Sequence, residues 1–144
     1  MMRSKSLVGL VVLLLMAACS TPAPAETGPQ ADQAAAPAYT DITPQELNTM
    51  LENKDFLLVN THIPFEGDLP KTDLSIPYNE IEENLRLLPT DKDAKIVLYC
   101  RSDRMSREAA DELSQLGYTN LYNLDGGFIA WQEAGYSMAP PPMR

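Results

Sequence analysis

The sequence predicts an α/β fold, a small three-layer domain with a mainly parallel sheet flanked by helices. Two short runs of mostly apolar residues, 56–60 and 94–99, are typical of strands buried on both faces. Segments with helical spacing of their apolar residues, 80–88 and 106–116, come after these strands, and a third short strand is expected at 121–124. Strands that alternate with helices favour a parallel sheet, and 144 residues suffice for one such domain.

The domain is expected to begin near Tyr39 and to form a helix soon afterwards. Thr43 is followed by Pro44 and Glu46, which is the pattern of a capping box with proline at the first helical position. The helix is expected to end near Asn53.

The remaining boundaries follow from helix caps and from residues that interrupt regular structure. Segment 61–77 is expected to be irregular because several prolines interrupt it. The single histidine, His62, lies there and is expected to be a solvated loop residue, with a place at the active site as the alternative. Ser106 is the expected N-cap of the helix after the second strand, and Gly117 its stop. A last helix is expected at 128–134.

The first 18 residues are predicted to be a signal peptide. Arg3 and Lys5 make the start of the chain positive, and an apolar run from Leu7 to Ala18 follows. That run is shorter than the roughly 20 apolar residues that cross a membrane, and it has the form of a secretory signal. Residues 1–18 are therefore expected to direct export.

Cys19 is expected to carry a lipid. The string Leu-Met-Ala-Ala-Cys at 15–19 resembles the end of a bacterial lipoprotein signal, in which the cysteine becomes the acylated first residue. Residues 20–38 are rich in alanine and proline and cannot bury enough surface to fold, so 19–38 is predicted to be an acylated, flexible linker. The protein is then expected in the bacterial cell envelope, lipid-anchored and facing the periplasm or exterior. An ordinary cleaved signal with Cys19 unmodified is the alternative.

Cys100 is the candidate nucleophile. It comes directly after strand 94–99, at the end of a parallel strand where ligands bind. The N–H groups of the following loop and helix favour negative charge there, and hence a thiolate. The loop supplies the candidate substrate-binding residues, which are Arg101, Ser102, Asp103, Arg104, Met105 and Ser106. A buried structural cysteine is the alternative.

A series of motifs follows along the chain. They are Cys-Arg-Ser-x-x-x-Ser at 100–106, Ala109-Ala110, Leu113, Leu116-Gly117-Tyr118, Asn-Leu-Asp-Gly-Gly at 123–127, and Trp131. In this order they resemble the single-domain rhodaneses, a family of sulfurtransferases. The resemblance is strongest over 96–135 and weaker back to about residue 40, which implies a rhodanese-like domain at 39–139 and a tail at 140–144. It also implies that Cys100 carries sulfur as a persulfide, from a donor such as thiosulfate to a thiol or cyanide acceptor.

Two positions and one three-residue segment depart from the family pattern. Asp103 stands where many members have glycine, and Met105 stands where arginine is frequent. The family's Asp-Val-Arg after an early strand is replaced by Asn-Thr-His at 60–62. Aspartate tolerates left-handed backbone better than most residues, so the loop is expected to form, while the carboxylate is expected to oppose anion binding.

Composition and spacing argue against several other classes of protein. Cysteine phosphatases place an arginine six positions after the cysteine, but Ser106 occupies that position and Arg107 comes one later. A net charge of −9 disfavours nucleic acid as a partner. One histidine and one free thiol do not make a metal site, and no cofactor is expected.

Two further functions stay open at this point. One is a non-catalytic rhodanese-like module, in which the loop recognises a partner protein of the envelope or an anionic ligand. The other is an envelope protein for thiol redox or persulfide handling, in which Cys100 exchanges with partner thiols.

Overall fold

The structure is a computed structural model that describes residues 38–140. The α-helices and strands are β1 (Thr40–Ile42), α1 (Pro44–Glu52), β2 (Leu57–Asn60), β3 (Leu74–Ser75), β4 (Ile96–Tyr99), α2 (Arg104–Gln115), β5 (Leu121–Leu124) and α3 (Gly127–Glu133). Two 3₁₀ helices, Tyr78–Glu80 and Glu82–Leu87, connect β3 to β4. The predicted signal peptide, the acylation of Cys19 and the linker up to residue 37 lie outside the described residues, as do the last four residues of the predicted tail.

All five strands form one parallel sheet in the order β1-β5-β4-β2-β3. β4 is the central strand, and its side chains alternate between two cores. Val97 and Tyr99 pack in the cluster that contains residues of α1 and α3, whereas Ile96 and Leu98 pack in the cluster that contains residues of α2. The predicted α/β class with helices on both faces of a parallel sheet is confirmed.

Two strands and one helix start differ from the sequence-based expectations. β1 and β3 were not predicted because they are edge strands of three and two residues without an apolar run. The expected N-cap at Ser106 is wrong, since α2 begins at Arg104 with Asp103 as its N-cap. Ser106 lies inside the first turn, where its hydroxyl oxygen is 2.9 Å from the Asp103 carbonyl oxygen.

The start of α1 agrees with the sequence pattern. The Thr43 hydroxyl oxygen accepts from the Glu46 N–H, and the Glu46 carboxylate accepts from the Thr43 N–H at 2.7 Å. This reciprocal pair satisfies two N–H groups that a helix start otherwise leaves free. Within residues 38–140, no helix is both long enough and apolar enough to cross a membrane.

Candidate active site at the Cys100 loop

Cys100 is the first residue after the central strand, and only 2% of it is exposed. Its carbonyl oxygen accepts from the Phe128 N–H at 2.9 Å, and the Arg101 carbonyl oxygen accepts from the Ile129 N–H at 3.2 Å. The first turn of α3 therefore fixes the backbone on which the thiol is mounted.

Two donors face the sulfur of Cys100. The Asp103 N–H donates to Sγ across 3.1 Å, and the Ser106 hydroxyl oxygen lies 3.5 Å from Sγ. That hydroxyl carries one hydrogen, which goes either to Sγ or to the Asp103 carbonyl oxygen. Because Sγ also lies at the N-terminus of the 12-residue helix α2, N–H groups and the helix dipole both favour negative charge on the sulfur.

Asp103 has a backbone conformation that a side chain rarely adopts, with φ of 132°. Its carboxylate accepts from the Gly126 N–H at 2.9 Å and from Asn123 Nδ2 at 3.2 Å, and it lies 3.7 Å from Arg107 Nε. These contacts hold the residue in a conformation that costs of the order of 1–3 kcal/mol. They also compensate the negative charge that was expected to oppose anion binding.

Gly127 allows α3 to approach the loop. It has φ of 58°, and a Cβ at this position would lie 2.6 Å from the Arg101 carbonyl carbon and closer still to the Cys100 carbonyl oxygen. This close contact with the backbone of the cysteine loop has no local sequence signal, because it depends on the packing of two segments that are distant in sequence.

The remaining predicted binding residues lie around the loop rather than against the sulfur. Arg101 Nε lies 3.6 Å from Glu66 Oε2, and an Arg104 guanidinium nitrogen lies 2.7 Å from Glu108 Oε1. The Arg104 guanidinium also stands over the Tyr78 ring, 5.3 Å from its centroid. Both arginines are exposed, as is Ser102, while Met105 is half-buried.

The expectation that His62 is solvated is wrong. Only 9% of the residue is exposed, and its ring packs edge-on against Phe128, with 5.5 Å between ring centroids. Nε2 lies 3.2 Å from Glu66 Oε1, yet neither ring nitrogen makes a well-aligned hydrogen bond in the described part of the chain. His62 and Arg101 thus approach the two oxygens of one carboxylate, that of Glu66.

The segment 60–62 joins β2 to β4 by hydrogen bonds. The N–H and the hydroxyl of Thr61 both donate to the Tyr99 carbonyl oxygen, at 2.8 and 3.0 Å. The Asn60 side-chain oxygen accepts from the His62 N–H at 3.0 Å. Of the two positions where the resemblance implies charged residues, position 60 holds an amide whose oxygen accepts from the next-but-one N–H, and position 62 holds the buried His62.

Two further side chains support the site and were not predicted. Arg107 contacts carboxylates in β1, in the loop and after β5, and Asn123 bonds both Asp41, at 2.8 Å, and Asp103. Apart from the Arg107–Asp103 pair, which is four residues apart, these contacts have no local sequence signal, because their partners are 18 to 82 residues apart. Among residues 38–140, no group of three or more His, Cys, Asp or Glu side chains is arranged to hold a metal ion.

Comparison with known proteins identifies the same domain. The sequence model of the rhodanese-like domain family matches residues 43–134. A sulfurtransferase of Allochromatium vinosum is 35% identical over 105 residues, which cover 70% of this chain and 95% of that protein. Thiosulfate sulfurtransferase GlpE of Actinobacillus succinogenes is 29% identical over 108 residues, covering 70% of this chain and 91% of that protein. Four other relatives are longer, and the chain covers between 26% and 30% of each of them.

A solved structure agrees with the sequence relatives. The rhodanese-related protein of Thermoplasma volcanium superposes with a TM-score of 0.60 at 27% identity. The match covers 70% of this chain and 98% of that protein. The parallel sheet and its flanking helices are thus shared with a protein of the same type.

Proposed function

Because the chain belongs to the rhodanese-like domain family, we propose that it transfers a sulfane sulfur from a donor such as thiosulfate to a thiol or cyanide acceptor through a persulfide on Cys100. Sulfurtransferases among its relatives support the general activity. The observation that carries the role of Cys100 is the position of its sulfur, 3.1 Å from the Asp103 nitrogen at the start of α2.

The first half of the reaction loads the enzyme. The Cys100 thiolate attacks the outer sulfur of thiosulfate and forms a new S–S bond. The bond between the two sulfur atoms of thiosulfate breaks, and its electron pair leaves with sulfite. The Asp103 N–H and the Ser106 hydroxyl stabilise the thiolate before the attack and negative charge on the sulfur during it.

The second half unloads the enzyme. The acceptor attacks the outer sulfur of the persulfide, the bond to Cys100 Sγ breaks, and its electron pair regenerates the thiolate. The same two donors then stabilise Cys100 as the leaving group. One group of contacts thus serves both half-reactions, with no net oxidation of the protein.

Steady-state transfer tests this function. The purified protein, supplied with thiosulfate and cyanide, is expected to produce thiocyanate, and Cys100→Ser is expected to abolish the enzymatic rate. Ser137→Ala, a change at an exposed serine outside the cysteine loop, serves as the control and is expected to retain the rate. If Cys100→Ser kept the wild-type rate, the persulfide route would be wrong, and a non-catalytic binding module would be the better description.

We also propose that the enzyme is exported and lipid-anchored through Cys19. The support is the signal-like segment 1–18, which ends at this cysteine, and the linker after it. Cys19→Ser is expected to abolish incorporation of a labelled fatty acid and to move the protein from the membrane fraction to the soluble fraction of the envelope. Equal membrane association of both proteins would contradict anchoring through Cys19.

A further inference from the structure

Every arginine of the Cys100 loop and of the first turn of α2 faces a carboxylate. The ion pairs are Arg101–Glu66 at 3.6 Å, Arg104–Glu108 at 2.7 Å, and Arg107 with Asp41, Asp103 and Asp125 at 3.3, 3.7 and 3.2 Å. Five carboxylates therefore surround three guanidinium groups. The immediate surroundings of the thiol have no excess of positive charge outside the backbone N–H groups.

The lysines of the described residues do not change this balance, because their contacts lie elsewhere. Lys54 and Lys95 pair with Asp73 and Asp55. The other two contact the Leu51 carbonyl oxygen and the Tyr118 ring. Recruitment of an anion to the site thus depends on arginines that are already paired.

Paired charges attract an external anion weakly. Each of these pairs spans less than 4 Å, which is shorter than the Debye length of about 8 Å at physiological ionic strength. At the distance of an approaching molecule, the electrostatic potentials of the positive and negative members of each pair largely cancel. A donor with two negative charges, such as thiosulfate, must compete with Glu66 for Arg101 and with Glu108 for Arg104.

Glu66 is the best placed of these carboxylates to act on a donor. Its two oxygens lie against His62 on one side and Arg101, the residue after the thiol, on the other. The preceding residue in the chain, Phe65, is 61% exposed, so the same segment also presents apolar surface to solvent. A segment that presents both a carboxylate and an exposed apolar ring suits an organic carrier better than a small inorganic dianion.

We propose, on the basis of the sulfurtransferase function above, that Glu66 and Glu108 determine the charge preference of the site. The donor is an organic persulfide whose carrier bears no negative charge. The Cys100 thiolate attacks the outer sulfur of R–S–SH, the S–S bond of the donor breaks, and the electron pair leaves on R–S⁻. The proton of the donor's outer sulfur passes to this leaving group, so that the products are the Cys100 persulfide anion and R–SH.

A matched series of donors tests the preference. The persulfides of cysteamine, 2-mercaptoethanol and 3-mercaptopropionate present the same outer sulfur on cationic, neutral and anionic carriers, and thiosulfate is the dianion. The rate of loading of Cys100 is measured for each by intact mass in single turnovers of the purified protein. Wild type is expected to react fastest with the cationic carrier and slowest of the three with the anionic one.

Removing one carboxylate at the site should shift this order. At a separation of about 6 Å in water, one unit charge changes the rate for a singly charged carrier about threefold and for thiosulfate about tenfold. Glu66→Gln is therefore expected to lower the cysteamine-to-mercaptopropionate rate ratio about tenfold and to raise the thiosulfate rate about tenfold. Glu108→Gln should act in the same direction. Glu52→Gln, an exposed change at the end of α1, is the control and should leave the ratio unchanged.

The outcomes separate the two proposals. Suppose that wild type is loaded, but that Glu66→Gln and Glu108→Gln change the cysteamine-to-mercaptopropionate rate ratio no more than Glu52→Gln does. This result would overturn the charge preference and leave the sulfurtransferase function intact. Faster loading of wild type by the anionic carrier than by the cationic one would also overturn it. Absence of loading by all four donors would overturn the sulfurtransferase function and the preference with it.

Discussion

The backbone N–H of Asp103 points at the sulfur of Cys100, with 3.1 Å between nitrogen and Sγ. The same residue anchors the loop through its carboxylate, which accepts from Gly126 and Asn123. One residue therefore both donates to the thiol and connects the loop to the turn between β5 and α3. The orientation of that N–H depends on the side-chain contacts, because φ of 132° is unfavourable without them.

Replacing Asp103 should change the reactivity of the thiol. Asp103→Ala removes the anchor and leaves the unfavourable φ, so the rate of Cys100 alkylation near neutral pH is expected to fall about tenfold, as expected for loss of a hydrogen bond to a charged group. Asp103→Asn keeps an oxygen that can accept from Gly126, and its rate should stay within about threefold of wild type. Equal alkylation rates for Asp103→Ala and wild type would contradict the anchoring role of the Asp103 carboxylate.

Ser106 should matter more than its neighbour Ser102, although both are serines of one loop. Ser106→Ala removes the hydroxyl 3.5 Å from Sγ and is expected to slow alkylation and persulfide formation severalfold, with a stability loss of about 1 kcal/mol. The Asp103 carbonyl oxygen keeps the Arg107 N–H as a donor, so the fold should survive. Ser102→Ala should behave as wild type in both assays. Identical effects of the two variants would argue against a role for the Ser106 hydroxyl at the sulfur.

Gly127 should tolerate no side chain. Gly127→Ala places a methyl group against the backbone of Cys100 and Arg101, and is expected to lower the free energy of unfolding by about 1–3 kcal/mol more than the strain of a positive φ alone. Gly117→Ala is the matched control, because Gly117 also has positive φ and no atom lies within 4 Å of the added Cβ. Urea denaturation measures the free energy of unfolding of both variants. A Gly127→Ala protein as stable as Gly117→Ala would show that the close approach is not required.

Tyr99 should limit stability at alkaline pH. Burial raises the pKa of its hydroxyl well above 10, and that hydroxyl accepts from the Leu69 N–H at 3.0 Å. Since the unfolded tyrosine loses its proton first, stability is expected to fall as the pH rises above about 10. Tyr99→Phe leaves the Leu69 N–H without this acceptor and should cost about 1–3 kcal/mol at neutral pH.

Urea denaturation at neutral pH and at about pH 11 measures this dependence. The difference in stability between wild type and Tyr99→Phe should be smaller at the higher pH, because the wild type alone loses the contribution of the protonated hydroxyl. A difference that does not change with pH would mean that Tyr99 does not titrate as its burial requires.

The central part of the fold could be predicted because β2, β4 and β5 are short apolar runs with helical segments between them. β1 and β3 could not, since each makes only a few edge contacts and carries no periodic pattern. The position of Cys100 followed from its place directly after a buried strand. The support that Asn123, Arg107 and Gly127 give to the site could not be predicted from the sequence, because it arises only when segments far apart in the chain pack together.

The burial of His62 could not be predicted for the same reason. Its neighbours in sequence include prolines and a glycine, which indicated an exposed loop. Its burial comes from Phe128 and from the continuation of β2 beside β4, and neither contact is visible in the local sequence.

The most direct test of Cys100 as a sulfur carrier is the intact mass of the purified protein before and after incubation with thiosulfate or an organic persulfide, with and without a reducing wash. We expect a gain of one sulfur atom that the reductant reverses and that Cys100→Ser lacks. No gain with either donor, or an equal gain in Cys100→Ser, would contradict sulfur transfer through this residue.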